Sequence, residues 1–113
     1  MEPVDDTAGA LGAVEGLPAE SGVRVVRLVG EIDISNAEGL GAELDRMIGN
    51  GNGEVGEGLV VDLAALHFMD SSGIAMLLRA AGRVGTISVR NPTDVVRRII
   101  ECTGLADVLR IES

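Results

Sequence analysis

Short runs of branched aliphatic residues alternate along this chain with segments whose apolar positions recur every three or four residues. That is the pattern of strands alternating with amphipathic helices. Residues 23–29 (Val-Arg-Val-Val-Arg-Leu-Val) predict a strand, and residues 30–34 carry the chain out of it. Ser35, followed three positions later by Glu38, has the spacing of a capping box. The helix it opens carries Ala37, Leu40, Gly41, Leu44, Met47 and Ile48 as one apolar stripe and ends in the Gly/Asn loop at 49–53. Residues 58–63 form a continuous apolar run bounded by glycine, as expected of a strand covered on both faces.

A second amphipathic helix follows Asp70-Ser71-Ser72-Gly73, with Ile74, Leu77, Leu78 and Ala81 on one side. Residues 86–89 predict another strand. Asn91-Pro92 then restarts a helix, with proline in the first turn, where its missing N–H is not needed. Val96, Ile99 and Ile100 supply its stripe, Gly104 ends it, and residues 108–111 predict a last strand. Upstream, residues 10–16 read as an edge strand and 17–22 as turn material. Residues 1–9 are acidic and aperiodic and read as a disordered tail. The organisation is therefore a tail, 1–9, and one α/β domain, 10–113, with helices packed on a mixed sheet of about four to five strands.

Composition narrows this picture. The 113 residues suffice for one domain and are 46% hydrophobic, yet Phe68 is the sole aromatic. The core must be aliphatic. The net charge is −9, and all nine basic residues are arginine. A nucleic acid or an anionic membrane surface would be repelled, since such binding rests on basic neutralisation of phosphates. No apolar run approaches the roughly 20 residues of a membrane span, and the N-terminus lacks the basic start and apolar stretch of a secretory signal. The lone Cys102 excludes an internal disulfide, suits a reducing cytoplasm, and reads as a small buried hydrophobe on a helix. An acidic domain without an obvious exposed apolar stripe is most simply a monomer.

The chemistry concentrates at Asp70-Ser71-Ser72-Gly73, between a buried strand and a helix start. The first N–H groups of a helix lack intrahelical partners and the dipole there is positive. A serine at this point is an ordinary N-cap, and Ser71 or Ser72 reads as one. A phosphate would be received by the same donors and gain about 0.3–1 kcal/mol from the dipole. Gly73 is a poor helix former, and its missing side chain suits close approach by another molecule's backbone.

Several counts weigh against enzyme chemistry. The Gly-x-Ser-x-Gly elbow of hydrolases is absent, and the one histidine, His67, sits on the strand-to-loop segment where no third residue orients it. With no lysine, neither a phosphate-binding loop nor a two-component receiver site can be built. No metal-ligating spacing appears.

Three stretches carry a resemblance to a known family: Leu28-Val29-Gly30-Glu31-Ile32-Asp33, then Val60-Val61-Asp62-Leu63 leading into Phe68-Met69-Asp70-Ser71-Ser72-Gly73-Ile74, and Thr103-Gly104-Leu105. Over roughly residues 10–112 the chain resembles STAS-domain anti-sigma factor antagonists. The resemblance implies the STAS fold and a role as substrate of an anti-sigma factor that is also a GHKL-type serine kinase. The unmodified antagonist binds that kinase and frees the sigma factor; phosphorylation abolishes binding, and a PP2C-type phosphatase reverses it. Matched position by position, the acceptor is Ser71, flanked by Asp70 and Ser72, with Asp33 as the partner-contacting aspartate and Gly73 and Asn91 on the same surface. No cofactor is implied, ATP being bound by the kinase. Ala75 departs from a glycine frequent in the family, and the family's helix after the last strand has no counterpart before Ser113. The alternatives are a STAS subunit of an ABC-type lipid-transport complex, working without phosphorylation, and a small serine hydrolase.

Overall fold

The computed structural model describes residues 12–49, 58–104 and 108–112. The acidic tail and residues 50–53 of the Gly/Asn loop lie outside them. Along the chain run β1 (Ala13–Glu20), β2 (Val23–Ile32), α1 (Ala37–Gly49), β3 (Leu59–Asp62), β4 (Leu66–Met69), α2 (Ser71–Val84), β5 (Ile87–Arg90), α3 (Asp94–Cys102) and β6 (Leu109–Ile111). The strands form one mixed sheet in the order β1-β2-β3-β5-β6. Among the described residues only β1–β2 is antiparallel.

The sixth strand, β4, was not expected as a strand. It pairs with the far half of β2, matching Gly30 with Leu66, Glu31 with Phe68 and Ile32 with Met69, while β3 pairs with Arg24 to Arg27 on the same edge. Its four residues are too few to show a period, and a turn at Ala64-Ala65 separates it from β3. The bonds Leu66 N–H to Leu63 O (3.1 Å) and Gly30 N–H to Ala65 O (2.9 Å) make the jog.

Two other boundaries move. β1 runs through the stretch expected to be a turn, leaving only Ser21-Gly22 to reverse the chain. Pro18 is tolerated because β1 is an edge strand and its register slips between Leu17 and Glu20. β2 likewise continues to Ile32, past the expected exit at Gly30.

The strand residues of one parity, among them Val26, Leu28 and Ile32 in β2, Leu59 and Val61 in β3 and Ile87 and Val89 in β5, join one core with Leu44 of α1, Leu77 of α2 and Ile100 of α3. The helices therefore cover one face of the sheet. The opposite parity carries charge. Glu15, Arg27, Asp62 and Arg90 are successive partners across β1, β2, β3 and β5, alternating in sign. Arg27 pairs with Glu15 (3.6 Å), and Arg90 bonds Glu112 (3.1 Å) and both carboxylate oxygens of Glu20 (2.9 and 3.0 Å). Those two carboxylates hold the Arg90 guanidinium pKa well above its ordinary range.

Candidate functional site

Parallel strands bring their carboxyl ends to one edge of the sheet, and the chemistry gathers there. Ile32 is paired with Met69, so Asp33 and Asp70 leave adjacent strands side by side. The Asp70 N–H bonds Ile32 O (3.1 Å), and the Thr93 hydroxyl, past β5, reaches Leu66 O (3.5 Å). The expectation that Asp33 lies near Ser71 rests on this shared sheet end, and the register provides it.

Each aspartate caps a helix, which corrects two readings. At α1 the reciprocal cap is not Ser35 with Glu38 but Asp33 with Asn36. The Asp33 N–H donates to Asn36 Oδ1 (2.9 Å), while the Asp33 carboxylate accepts from the Ser35 N–H (2.9 Å) and the Ser35 hydroxyl. The Asp33 carbonyl then takes the Ala37 N–H (2.8 Å), so the first turn starts two residues before the expected cap. The Ser35 hydroxyl, with its N–H, lowers the Asp33 pKa below the ordinary carboxylate value. Asn36 Nδ2 also bonds Glu31 O (2.9 Å), fixing the exit from β2.

At α2 the cap is Asp70, not either serine. Its backbone is extended and its carboxylate accepts from the Ser72 N–H (2.8 Å), while its carbonyl takes the Gly73 and Ile74 N–H groups (3.0 and 3.3 Å). Three of the donors expected to receive a phosphate, the N–H groups of Ser72, Gly73 and Ile74, are thus taken. Ser71 is the first helical residue and lies exposed; Ser72 is half-buried.

Gly73 is buried, and its missing side chain serves the protein's own packing. A Cβ there would stand 2.9 Å from Met69 Cβ and 3.3 Å from Ile32 Cγ2. This is too close for an ordinary contact, so α2 can rest on β4 and β2 only with glycine at this position. It does not face a partner. Asn91 leaves β5 in the left-handed region (φ 58°) and is exposed. It does not start the helix. Thr93 caps α3, accepting from the Val96 N–H (3.3 Å), and Pro92 precedes the helix.

Several residues that sequence reasoning passed over surround Ser71. Phe68 is 41% exposed and Val95 52%, while Ile34, 82% exposed, lies in the neighbouring groove with Ser72. Phe68, Ser71 and Ile74 form one wall of a groove whose other wall is α3, with Val95, Arg98, Ile99 and Cys102. A signal for it existed. α3 repeats a doubled apolar pair, Val95-Val96 and Ile99-Ile100, of which only Val96 and Ile100 are buried. The second stripe faces the groove. Cys102 is exposed rather than buried, because it falls on that outer side. His67 is exposed on β4.

The chain matches the family model described as Mlab, STAS domain, over residues 16–111. It belongs to the STAS-domain family. Among solved structures, the anti-sigma factor antagonist SpoIIAA in its unphosphorylated form superposes with a TM-score of 0.70 at 24% identity, covering 89% of each chain. An anti-sigma factor antagonist from Mycobacterium paratuberculosis gives 0.71 at 27% identity, over 88% of this chain and 85% of that one. The Bacillus cell fate determinant SpoIIAA in its phosphorylated form gives 0.58 at 23% identity, over 89% and 92%. The STAS fold expected of the sequence is the fold found, with six strands in place of four to five. Among the described residues no helix is long and apolar enough to cross a membrane, and no three His, Cys, Asp or Glu side chains cluster as metal ligands.

Proposed function

We propose that this STAS domain is an anti-sigma factor antagonist whose unphosphorylated form binds an anti-sigma factor that is also a serine kinase, and whose phosphorylation at Ser71 ends that binding. The observation that carries the reading is the setting of Ser71. It is the exposed hydroxyl at the start of α2, directly after the capping Asp70 and at the sheet end shared with Asp33, and it lines a groove with exposed Phe68 and Val95. Antagonists that share the fold, including one at 27% identity, support the role.

The chemistry belongs to the partner. The Ser71 Oγ attacks the γ-phosphorus of ATP held by the kinase; the Oγ–P bond forms, the bond to ADP breaks, and the hydroxyl proton passes to a base on the kinase. The antagonist itself is no enzyme and holds no cofactor. Apolar side chains around a polar hydroxyl form a surface that a partner can desolvate while Ser71 is neutral. The phosphate adds about −1.5 to −2 charges beside Asp33 and Asp70. A hundredfold loss of affinity requires about 2.7 kcal/mol, which repulsion and desolvation of that charge supply without refolding. A PP2C-type phosphatase returns the neutral form, and the exchange takes place in the cytoplasm with the antagonist as a monomer.

Incubation with a cognate GHKL-type kinase and ATP is expected to add one phosphate, lost in Ser71→Ala and kept in Ser72→Ala. Transfer that persists in Ser71→Ala overturns the reading. The transport-subunit alternative predicts instead that the chain captures an ABC-type ATPase and no kinase. The antagonist neighbours favour the kinase.

A further inference from the structure

The groove between α2 and α3 encloses about 670 Å³ and mixes an apolar floor with a few polar groups at its rim: Ser71, Asp94, Arg98 and Thr103. A phosphate on Ser71 would stand at that rim and need donors. The backbone N–H groups of Ser72, Gly73 and Ile74 are engaged by Asp70, which leaves the helix start little beyond the N–H of Ser71 itself to offer. The cation lining the same groove is Arg98, exposed on the opposite wall. Arg27, Arg83 and Arg90 are in ion pairs, whereas Arg98 has none among the described residues. Asp94 lies one turn before Arg98 and competes for it. A single carboxylate is a weaker competitor than a dianion with three acceptor oxygens, which a guanidinium grips in bidentate fashion.

Resting on the reading of Ser71 as the acceptor, we propose that phosphorylated Ser71 is gripped by Arg98 across the α2–α3 groove. The contact draws the Arg98 side chain over Phe68 and Ile99. Modification then hides the apolar surface as well as charging its rim, two effects that both oppose partner docking. Unmodified Ser71 offers Arg98 no anion, so the groove stays open in the binding-competent form.

The test uses the full chain with phosphoserine placed at position 71 during translation, which needs no kinase. A phosphorus NMR titration is expected to show the phosphoserine midpoint in the wild type roughly 0.5 unit below that in Arg98→Gln, as an exposed ion pair favours the dianion. Arg98→Lys should recover part of the shift, and Arg97→Gln none. Labelling of Cys102 by the neutral reagent N-ethylmaleimide should slow by roughly threefold on phosphorylation, the same half unit expressed as a population, and should not slow in Arg98→Gln. Equal midpoints in wild type and Arg98→Gln, an equal shift from Arg97→Gln, or unchanged Cys102 labelling would each overturn the grip. If instead no kinase modifies Ser71, the functional reading fails while this measurement still reports on the grip.

Discussion

Two grooves flank the start of α2, one for each serine, and they differ in kind. The groove shared with α3 takes Ser71 and is walled by Phe68, Ile74, Val95 and Ile99. The groove shared with α1 takes Ser72 and is mixed, with the charged Glu38, Asp45 and Arg79 beside Ile34, Ala37 and Met76. Adjacent residues on a helix point about 100° apart, so less than a third of a turn separates a largely apolar surface from one that carries charged groups as well. The two serines are equivalent in sequence and unequal in setting. Ser71 is exposed on the apolar side, and the backbone N–H of Ser72 is bound into the Asp70 cap.

The sharpest way to break the comparison is to place charge on each side. Ser71→Asp should weaken kinase binding about a hundredfold relative to Ser71→Ala, and Ser72→Asp only about tenfold relative to Ser72→Ala. Isothermal titration measures both, and equal losses would erase the distinction between the grooves. Next in size is the inward side of the same turn. Gly73→Ala gains up to about 1 kcal/mol of helix propensity but drives a Cβ into Met69, an overpacking that costs about 1–3 kcal/mol. Urea denaturation is expected to show net destabilisation, and a gain in stability would mean that α2 is free to shift.

A smaller effect attends the cap. Asp70→Ala removes the acceptor for the Ser72 N–H and should cost about 1 kcal/mol, with a fall in Tm of roughly 4 °C for a domain of this size. Asp70→Asn, which still caps, should recover most of it. An Asn variant as unstable as the Ala variant would show that charge, not the hydrogen bond, carries the effect. The smallest effect is on acid stability. Asp33 and Glu20 lie below their ordinary values of 3.8 and 4.5, held down by the Ser35 hydroxyl and by Arg90 respectively. The folded state therefore binds fewer protons than the unfolded one. The stabilisation is complete above the ordinary values and is lost as pH falls from them through the lowered folded values. Thermal melts at pH 6 and pH 3.5 should converge in part when Arg90→Gln is introduced, and an unchanged acid sensitivity would remove Glu20 from the account.

The larger architecture was legible because its signals are long. Thirteen residues of α1 and fourteen of α2 repeat their apolar stripe several times, and β2, β3 and β5 are rich in Val, Ile and Leu. What failed was local and short. β4 has four residues, and its inward pair Leu66 and Met69 spans too little chain to show a period. The caps failed because Ser35-x-x-Glu38 and Asp33-x-x-Asn36 overlap by two residues, and only the path of β2 past Gly30 decides between them. The site residues divide in the same manner. Ser71, Asp33 and Asp70 gather as expected, since strand ends in a parallel sheet converge. Gly73 turned inward, because a glycine's role depends on what packs above it, which spacing alone does not state.

Arg90 carries a consequence of another sort. Its guanidinium joins Glu20, seventy positions earlier, to Glu112, twenty-two positions later, so one side chain ties the first strand of the sheet to the residue that follows the last. Such contacts close only after most of the chain has been ordered, which places them late in folding and makes them slow to reward. Once closed, they connect the two margins through one guanidinium, so that loosening of one edge weakens the hold on the other. In hydrogen exchange the β1–β2 hairpin and β6 should open together, and Arg90→Gln should let the hairpin open first. Under the proposed switch, a sheet whose margins are joined in this manner gives Ser71, at the carboxyl ends of its strands, a fixed platform, so that a phosphate there changes the surface and leaves the scaffold as it was.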